Sequence, residues 1–204
     1  MSSSHRAWVR AELDAIRDQD RWRRSRPFDA LGPAGSLEGR AVVSFASNDY
    51  LGLSAHPDVV LAGHEALDRW GTGSTASRLV VGSRPVHHDL EAALAGWKGT
   101  EAAVALPSGY AANLAVLTTF GGSDCLVVSD ELNHASIIDG CRLSRSHVAV
   151  ARHGDVDHVD ELLASAGSRR AMVVTDSVFS MDGDEAPVQA LAECCARHGA
   201  LLVL

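Results

Sequence analysis

The sequence lacks a long apolar run, a signal peptide and an excess of positive charge. No stretch approaches the roughly 18 consecutive apolar residues of a membrane span, so no membrane is expected as a partner. The net charge of −8 argues against nucleic acid and against an anionic membrane surface. The first residues have no apolar core of signal-peptide length, and a cytoplasmic location is therefore predicted.

Paired-cysteine motifs are also missing. The cysteines are Cys125, Cys141, Cys194 and Cys195, and none belongs to a C-x-x-C pair. The vicinal Cys194 and Cys195 could not easily bridge each other within a helix. All are predicted to be free thiols in a reducing compartment, where they mostly fill the core.

A metal-ligand pattern is absent as well, although the sequence has 10 histidines. His153 and His158 lie on either side of a turn, and the adjacent His87 and His88 point in different directions. Neither pair predicts a facial arrangement with a third ligand, so no metal site is expected.

What the sequence does contain is typical of a globular α/β domain. Its 46% hydrophobic and 22% charged residues are close to globular averages, so a packed core is expected. Apolar runs alternate with helical periodicity, which predicts a mostly parallel sheet with helices on both faces. Helices are predicted over 6–24, 57–70, a segment ending near Gly99, 111–120, 135–142, 156–164 and 188–198. Strands are predicted over 41–45, 102–106, 125–129, 148–151, 171–175 and 200–204.

Two divisions of the chain follow from this pattern. Residues 1–45 are predicted to form an N-terminal helix, a Pro/Gly-rich connector and a short strand, and residues 46–204 the first part of a large domain. The last predicted strand ends without a polar residue to close it. We therefore expect the chain to be truncated within the large domain.

A Ser-Gly turn at residues 108–113 stands between a predicted strand and a predicted helix. Glycine at 109 lets the backbone approach a ligand, and the free N–H groups of a helix start favour a phosphate. An ordinary strand-to-helix turn has the same composition. Phosphate binding and a purely structural turn both remain open.

Two further segments follow predicted strands, at the edge where ligands bind in such sheets. Residues 133–136 read either as a functional His134 or as a capping asparagine with a surface histidine. Residues 175–184 are rich in hydroxyls and acids, and Asp184 is predicted to cap the helix that opens with Pro187. Ser180 has no evident structural task, so it is a candidate functional residue.

The glycine- and serine-rich segment Gly71–Arg78 cannot be regular structure. Its length suggests either a functional loop near a ligand or a flexible linker. The apolar residues 79–81 that follow favour docking over a free linker.

Taken in order, residues 47–53, 71–78, 108–113, 133–136 and 178–184 resemble the α-oxoamine synthases, a family of fold-type I pyridoxal-phosphate (PLP) enzymes. The resemblance covers nearly all of the chain after residue 41. It implies a three-layer fold with a mostly parallel central sheet. It also implies a homodimer whose site lies at the subunit interface.

The resemblance assigns roles to the residues that match the family's motifs. The backbone of Gly109 and Tyr110 is expected to hold PLP. His134 is expected to stack on the pyridine ring, to contact the substrate and to contribute to catalysis. Ser180 is expected to place its hydroxyl beside the phenolic oxygen of the ring.

Two residues near the start match substrate-binding positions of the family. Arg23 is expected to bind the acyl substrate, and Asn48 is expected to lie near the substrate. A guanidinium suits a carboxylate because its fork of N–H groups bonds both oxygens. The alternative for Arg23 is a solvated basic face, because Arg21, Arg24 and Arg26 lie in the same stretch.

Lys98 is the only lysine of the sequence. The family requires a lysine that forms the Schiff base with PLP, together with an aspartate against the pyridine nitrogen and a nearby histidine. Lys98 lies at the end of an amphipathic surface helix and is not expected to be that lysine. The aspartate is expected directly after Leu204, with the histidine and the lysine further along.

The N-terminal helix and residues 108–113 favour the branch of the family that condenses L-alanine with a pimeloyl thioester, on coenzyme A or on a carrier protein. Residues 133–140 suit a glycine-using sister enzyme equally well. The alternatives are therefore such a sister, glycine C-acetyltransferase for example, and a catalytically inactive subunit or fragment.

Overall fold

The structure is a computed structural model that describes residues 3–204. It divides into two compact units, one that ends at Ser83 and one that spans Arg84–Leu204. The domain division after residue 45 stays a prediction. No helix within residues 3–204 is both long and apolar enough to cross a membrane.

The first helix of the first unit is shorter than predicted. Helix α1 spans Ser3–Asp18, whereas the apolar spacing had predicted a helix to residue 24. Asp20 has a positive φ of 53°, which is incompatible with a continuing right-handed helix. Trp22 therefore lies outside the helix, where its ring contacts the guanidinium of Arg17 at 4.3 Å from the ring centroid.

The predicted connector at 27–39 is largely an antiparallel sheet. Strands β1 (Phe28–Ala30), β2 (Ala34–Leu37) and β3 (Arg40–Val43) pair in that order. Glu38 and Gly39 both have positive φ, as a two-residue hairpin turn between β2 and β3 requires. Strands β1 and β2 were not predicted, because they are short and none of their residues is buried, whereas β3 overlaps the strand predicted over 41–45.

The rest of the first unit matches its prediction in part. A 3₁₀ turn spans Leu53–Ala55, and helix α2 spans Pro57–Trp70 as predicted. A π-helical turn follows at Arg78–Gly82. The expected docking of residues 79–81 does not occur within the described chain, because Leu79 is fully exposed.

The second unit carries the predicted alternation of strands and helices. All of its strands are parallel, in the order β5-β4-β6-β7. Its elements are α3 (Pro85–Lys98), α4 (Gly109–Phe120), β4 (Cys125–Asp130), α5 (Ala135–Leu143), β5 (His147–Ala151), α6 (Val156–Ala164), β6 (Arg170–Val174), α7 (Val188–His198) and β7 (Leu201–Val203).

One predicted strand is wrong. Residues 102–106 have no strand partner among the described residues, and Val104 is 74% exposed. The backbone N–H of Ala105 donates instead to the Glu91 carboxylate of α3, at 2.8 Å. An apolar run predicts a strand only if a neighbouring strand receives its backbone hydrogen bonds.

The sheet is covered on both faces, which confirms the three-layer α/β fold of fold-type I. Residues of β4 alternate between the two cores because successive side chains of a strand point to opposite faces. Leu126 and Val128 pack in the core formed with α6 and α7. Cys125 and Val127 pack in the core formed with α4 and α5. This arrangement places the carboxyl ends of β4 and β6 side by side.

Candidate functional site

The buried side chain of Asn133 ties together the carboxyl ends of β4 and β6. Asn133 is 5% exposed. Its Nδ2 donates to Ser129 Oγ at 3.0 Å and to the Val174 carbonyl at 2.8 Å, and its Oδ1 accepts from Asp176 N–H at 2.9 Å. Asn133 does not cap α5, contrary to the structural interpretation. It fixes the two loops that leave these strands.

His134 is held on both its backbone and its ring. Its N–H donates to Asp176 Oδ2 at 2.8 Å. Its Nδ1 caps α5 by accepting from the Ser136 N–H at 3.2 Å, and Nδ1 also lies 2.7 Å from Ser136 Oγ. Because Nδ1 accepts from the Ser136 N–H, it carries no proton, and the Ser136 hydroxyl, which accepts from the Asn113 amide at 2.8 Å, donates to it. The exposed imidazole therefore keeps Nε2–H as its outward donor.

The first turn of α4 lies close to the first turns of α5. The Ser108 side chain caps α4 by accepting from Ala111 N–H at 3.1 Å. The Tyr110 hydroxyl donates to Asp139 Oδ2 at 2.7 Å, and this hydrogen bond raises the pKa of Tyr110. A Cβ built on Gly109 would meet no atom within 4 Å, so open space adjoins this backbone. The helix start is thus accessible to a ligand.

Ser180 lies at the tip of the loop that joins β6 to α7. The backbone of Phe179 accepts from Gly183 N–H at 2.8 Å and donates to the Asp184 carbonyl at 2.9 Å, which closes the tip. Gly183 allows this turn with a φ of 76°. Ser180 itself is exposed. The loop that carries Ser180 leaves β6 at the same edge of the sheet as Asp176.

The prediction that Asp184 caps α7 is wrong. The residue at the start of α7 is Pro187, and no side chain caps that helix. Asp184 Oδ2 instead lies 2.7 Å from His153 Nε2. The carboxylate thus bonds to the imidazole and not to the backbone N–H groups at the start of α7.

The predicted cofactor residues Gly109, Tyr110, His134 and Ser180 all lie in the second unit. Hydrogen bonds between the first turns of α4 and α5 link the segment of Gly109 and Tyr110 to His134. Arg23 and Asn48 belong to the first unit. Arg23 lines an open cavity of about 450 Å³ together with Ile16, Asp20, Arg21 and Trp22. Its role and that of Asn48 stay predictions.

Lys98 is in the last turn of α3 and is exposed. Its Nζ lies 5.3 Å from the centroid of the neighbouring Trp97 ring. This position agrees with the surface role expected for it.

The cysteines are free and buried, as predicted. Burial raises the pKa of Cys195 to about 11, which keeps that thiol protonated and unreactive. The described residues include one cluster with metal-ligating atoms within 4.8 Å of one another, Asp160, Cys194 and His198. Arg197 already donates to Asp160 Oδ1 at 2.7 Å, so a cation occupies this carboxylate.

Sequence reasoning overlooked Asn133 and Asp176 as positioning residues. Both directly follow the ends of buried strands, where polar side chains converge in parallel sheets. Their position after a buried strand was the sequence signal that could have identified them. Which of the neighbouring polar residues turns inward depends on the loop conformation, and local sequence does not reveal it.

Comparisons with known proteins identify the family of the chain. The family model for aminotransferase class I and II matches residues 40–204. An 8-amino-7-oxononanoate synthase of Anaeromyxobacter sp. (strain K) is 52% identical over 96% of this chain and 49% of its own length. That of Mycolicibacterium smegmatis is 53% identical over 80% of this chain and 43% of its own length. The chain thus spans about half the length of these curated relatives.

Solved structures show the same fold. A serine palmitoyltransferase from S. paucimobilis, with a bound PLP-myriocin aldimine, superimposes with a TM-score of 0.88 at 30% identity. The match covers 98% of this chain and 53% of that one. An 8-amino-7-oxononanoate synthase from Francisella tularensis gives a TM-score of 0.63 at 26% identity, over 74% of this chain and 41% of that one.

Proposed function

Because the chain belongs to the aminotransferase class I and II family, we propose that its protein is a PLP-dependent 8-amino-7-oxononanoate synthase. This acyltransferase condenses L-alanine with a pimeloyl thioester in biotin synthesis and releases carbon dioxide. The relatives that are 52% and 53% identical carry this name. The observation that carries the proposal is the chain of hydrogen bonds that runs from Asn113 of α4 through the Ser136 hydroxyl to the His134 ring.

The residues of the second unit fit PLP. The start of α4 offers backbone N–H groups and a positive dipole end to a phosphate, and the open space at Gly109 lets the phosphate approach. The exposed imidazole of His134 offers a flat face for a pyridine ring. Bound there, PLP supplies an electron sink for the carbanion formed at the α-carbon of alanine.

The chain's own residues set the geometry of this site. Asp176 holds the backbone of His134, and Asn133 holds that of Asp176, so the imidazole plane is fixed from two strands. The outward Nε2–H of His134 is a donor for the carboxylate of the amino acid. The Ser180 hydroxyl is a donor for the phenolic oxygen of PLP. Such fixed donors act without reorganisation during the reaction.

Arg23 is proposed to bind the distal carboxylate of the pimeloyl group. Its cavity is open and combines the apolar side chains of Ile16 and Trp22 with the cations of Arg21 and Arg23, which outnumber the single carboxylate of Asp20. This combination suits an acyl chain that ends in a negative charge. Asn48 is proposed to lie near the substrate.

Two further proposals concern the whole protein. We propose a homodimer with the site at the subunit interface, as implied by the family resemblance. We also propose a cytoplasmic location, and the buried free thiols agree with a reducing compartment.

The test uses the full-length protein loaded with PLP. Coenzyme A release from pimeloyl-coenzyme A is measured with L-alanine, and the product mass is determined. Glycine with acetyl-coenzyme A is the matched alternative pair. We expect turnover with the first pair and little with the second. Equal use of both pairs would instead indicate the glycine-using sister, and no turnover with either would indicate an inactive subunit.

A matched variant checks that Lys98 is not the residue that anchors PLP. Because Lys98 is exposed beside Trp97, Lys98→Arg should leave the visible absorbance of the PLP-loaded protein unchanged. Loss of that absorbance would contradict the assignment of Lys98 to the surface.

A further inference from the structure

His153 lies between two carboxylates that belong to different segments. Its Nδ1 is 3.0 Å from Oδ1 of Asp130, the last residue of β4. Its Nε2 is 2.7 Å from Oδ2 of Asp184, in the loop that carries Ser180. A carboxylate can only accept, so both ring nitrogens must donate. Only the doubly protonated imidazolium has two N–H donors.

The same ring packs against the loop through an apolar contact. The Phe179 ring lies edge-on to His153, with the centroids 4.4 Å apart and the planes at 89°. Phe179 is 3% exposed and directly precedes Ser180. His153 therefore holds both sides of the loop tip, Phe179 on one side and Asp184 on the other.

Asp184 depends on His153 for its charge balance. Its second oxygen, Oδ1, is buried and has no hydrogen-bond partner in the described part of the chain. Removal of the imidazole would leave both oxygens without a donor. The carboxylate, whose side chain is already 43% exposed, would then turn towards water and no longer hold the loop.

We propose that His153 is a positioning residue that clamps residues 177–186 to the end of β4 and thereby sets the position of the Ser180 hydroxyl. This inference rests on the proposed function only for the role of Ser180. The clamp itself is a property of the chain's own contacts.

The clamp responds to pH through His153. Hydrogen bonds to Asp130 and then to Asp184 raise the pKa of His153 above its ordinary 6.5. The other groups around it are Glu131, which accepts from His153 N–H, and the exposed Arg152–Asp155 pair next along the chain. The clamp is complete below pH 6.5 and is lost as the pH rises through the raised value, because the imidazolium then loses a donor.

The experiment compares His153→Gln and Asp184→Asn with the control His198→Gln. His198 also pairs with an aspartate, Asp160 at 3.0 Å, and its side chain is 24% exposed against 26% for His153. His198 is on α7 and has no bond to the loop. Amide hydrogen exchange of Phe179 and Gly183 is measured on the full-length protein with and without PLP, and the visible spectrum of bound PLP is recorded against pH.

Both clamp variants should speed the exchange of these two amides by about tenfold or more, and the control should not. Both variants should also shift the pH at which the visible spectrum of bound PLP changes. Unchanged exchange in both variants would overturn the clamp. Faster exchange with an unchanged spectrum would overturn the link to Ser180 while PLP binding, and with it the proposed function, still holds. If a variant does not fold, wild-type protection of Phe179 that fails to fall across the titration of His153 would overturn the proposal.

Discussion

The two units of the chain differ most in burial. Among the described residues up to Ser83, only Gly82 is buried, and large apolar side chains such as Phe45 (97%) and Leu79 (100%) are exposed. The second unit contains both apolar cores, on either side of the parallel sheet. Within the described residues, both buried apolar clusters therefore belong to the second unit.

Helices α2 and α7 show what this difference teaches. Both were predicted from apolar residues at helical spacing, and both form. Helix α7 buries Leu191, Cys194 and Cys195 against the sheet, whereas α2 buries none of its residues. Helical periodicity thus predicts which side of a helix is apolar, but not whether a partner lies against it.

The largest expected effect is on the core. Leu117→Ala should lower the free energy of unfolding of the second unit by about 2–5 kcal/mol, because a 1% exposed side chain leaves a cavity. Leu67→Ala on α2 is the control, and its side chain is 50% exposed. It should change stability by less than about 1 kcal/mol. Urea unfolding checks both, and equal losses would contradict the contrast in burial between the two units.

A comparison of two asparagines separates a role in stability from a role in substrate binding. Asn133→Ala should cost about 2–3 kcal/mol of stability, because buried groups of β6 and its loop lose their partners. Asn48→Ala should leave unfolding unchanged and raise the KM for alanine, since Asn48 is exposed. Thermal unfolding and steady-state kinetics distinguish these outcomes. A stable Asn133→Ala protein would show that the strand ends are held without it.

Arg23 tests whether the first unit contributes to the substrate site. Arg23→Ala should raise the KM for the pimeloyl thioester at least about tenfold, the loss expected for a charge-assisted hydrogen bond. The KM for alanine should change little. Arg24→Ala is the neighbouring control and should behave as wild type in both measurements. Similar effects of the two variants would indicate a solvated basic face.

The smallest effect is expected at His134. Stacking alone adds about 1 kcal/mol, so His134→Ala should weaken PLP retention and alanine binding at least several-fold without unfolding the protein. His64→Ala removes an exposed histidine of α2 and should change neither. Absorbance titrations with PLP and with alanine provide the measurement. Unchanged affinities for PLP and for alanine would indicate that His134 serves only as the cap of α5.

The parallel unit was the more predictable one. Its strands are continuously apolar and its helices periodic, so β4 to β6 and α4 to α7 lie within a few residues of their predicted bounds. Strands β1 and β2 were missed because they are short and none of their residues is buried, whereas β3 overlaps the strand predicted over 41–45. Residues 102–106 were assigned wrongly because a strand needs a neighbour as well as an apolar composition.

The sequence by itself determined the layered α/β fold, the free thiols and the segments that carry candidate site residues. These features follow from local composition and from the spacing of apolar residues. Only the tertiary structure decided which polar side chains meet: Asn133 across β4 and β6, and His153 between Asp130 and Asp184. The physical reason is that a hydrogen bond forms only if its two atoms are placed to within a few tenths of an ångström. Local sequence does not set that distance for groups that are 20 or more residues apart, as Asp130 and His153 are.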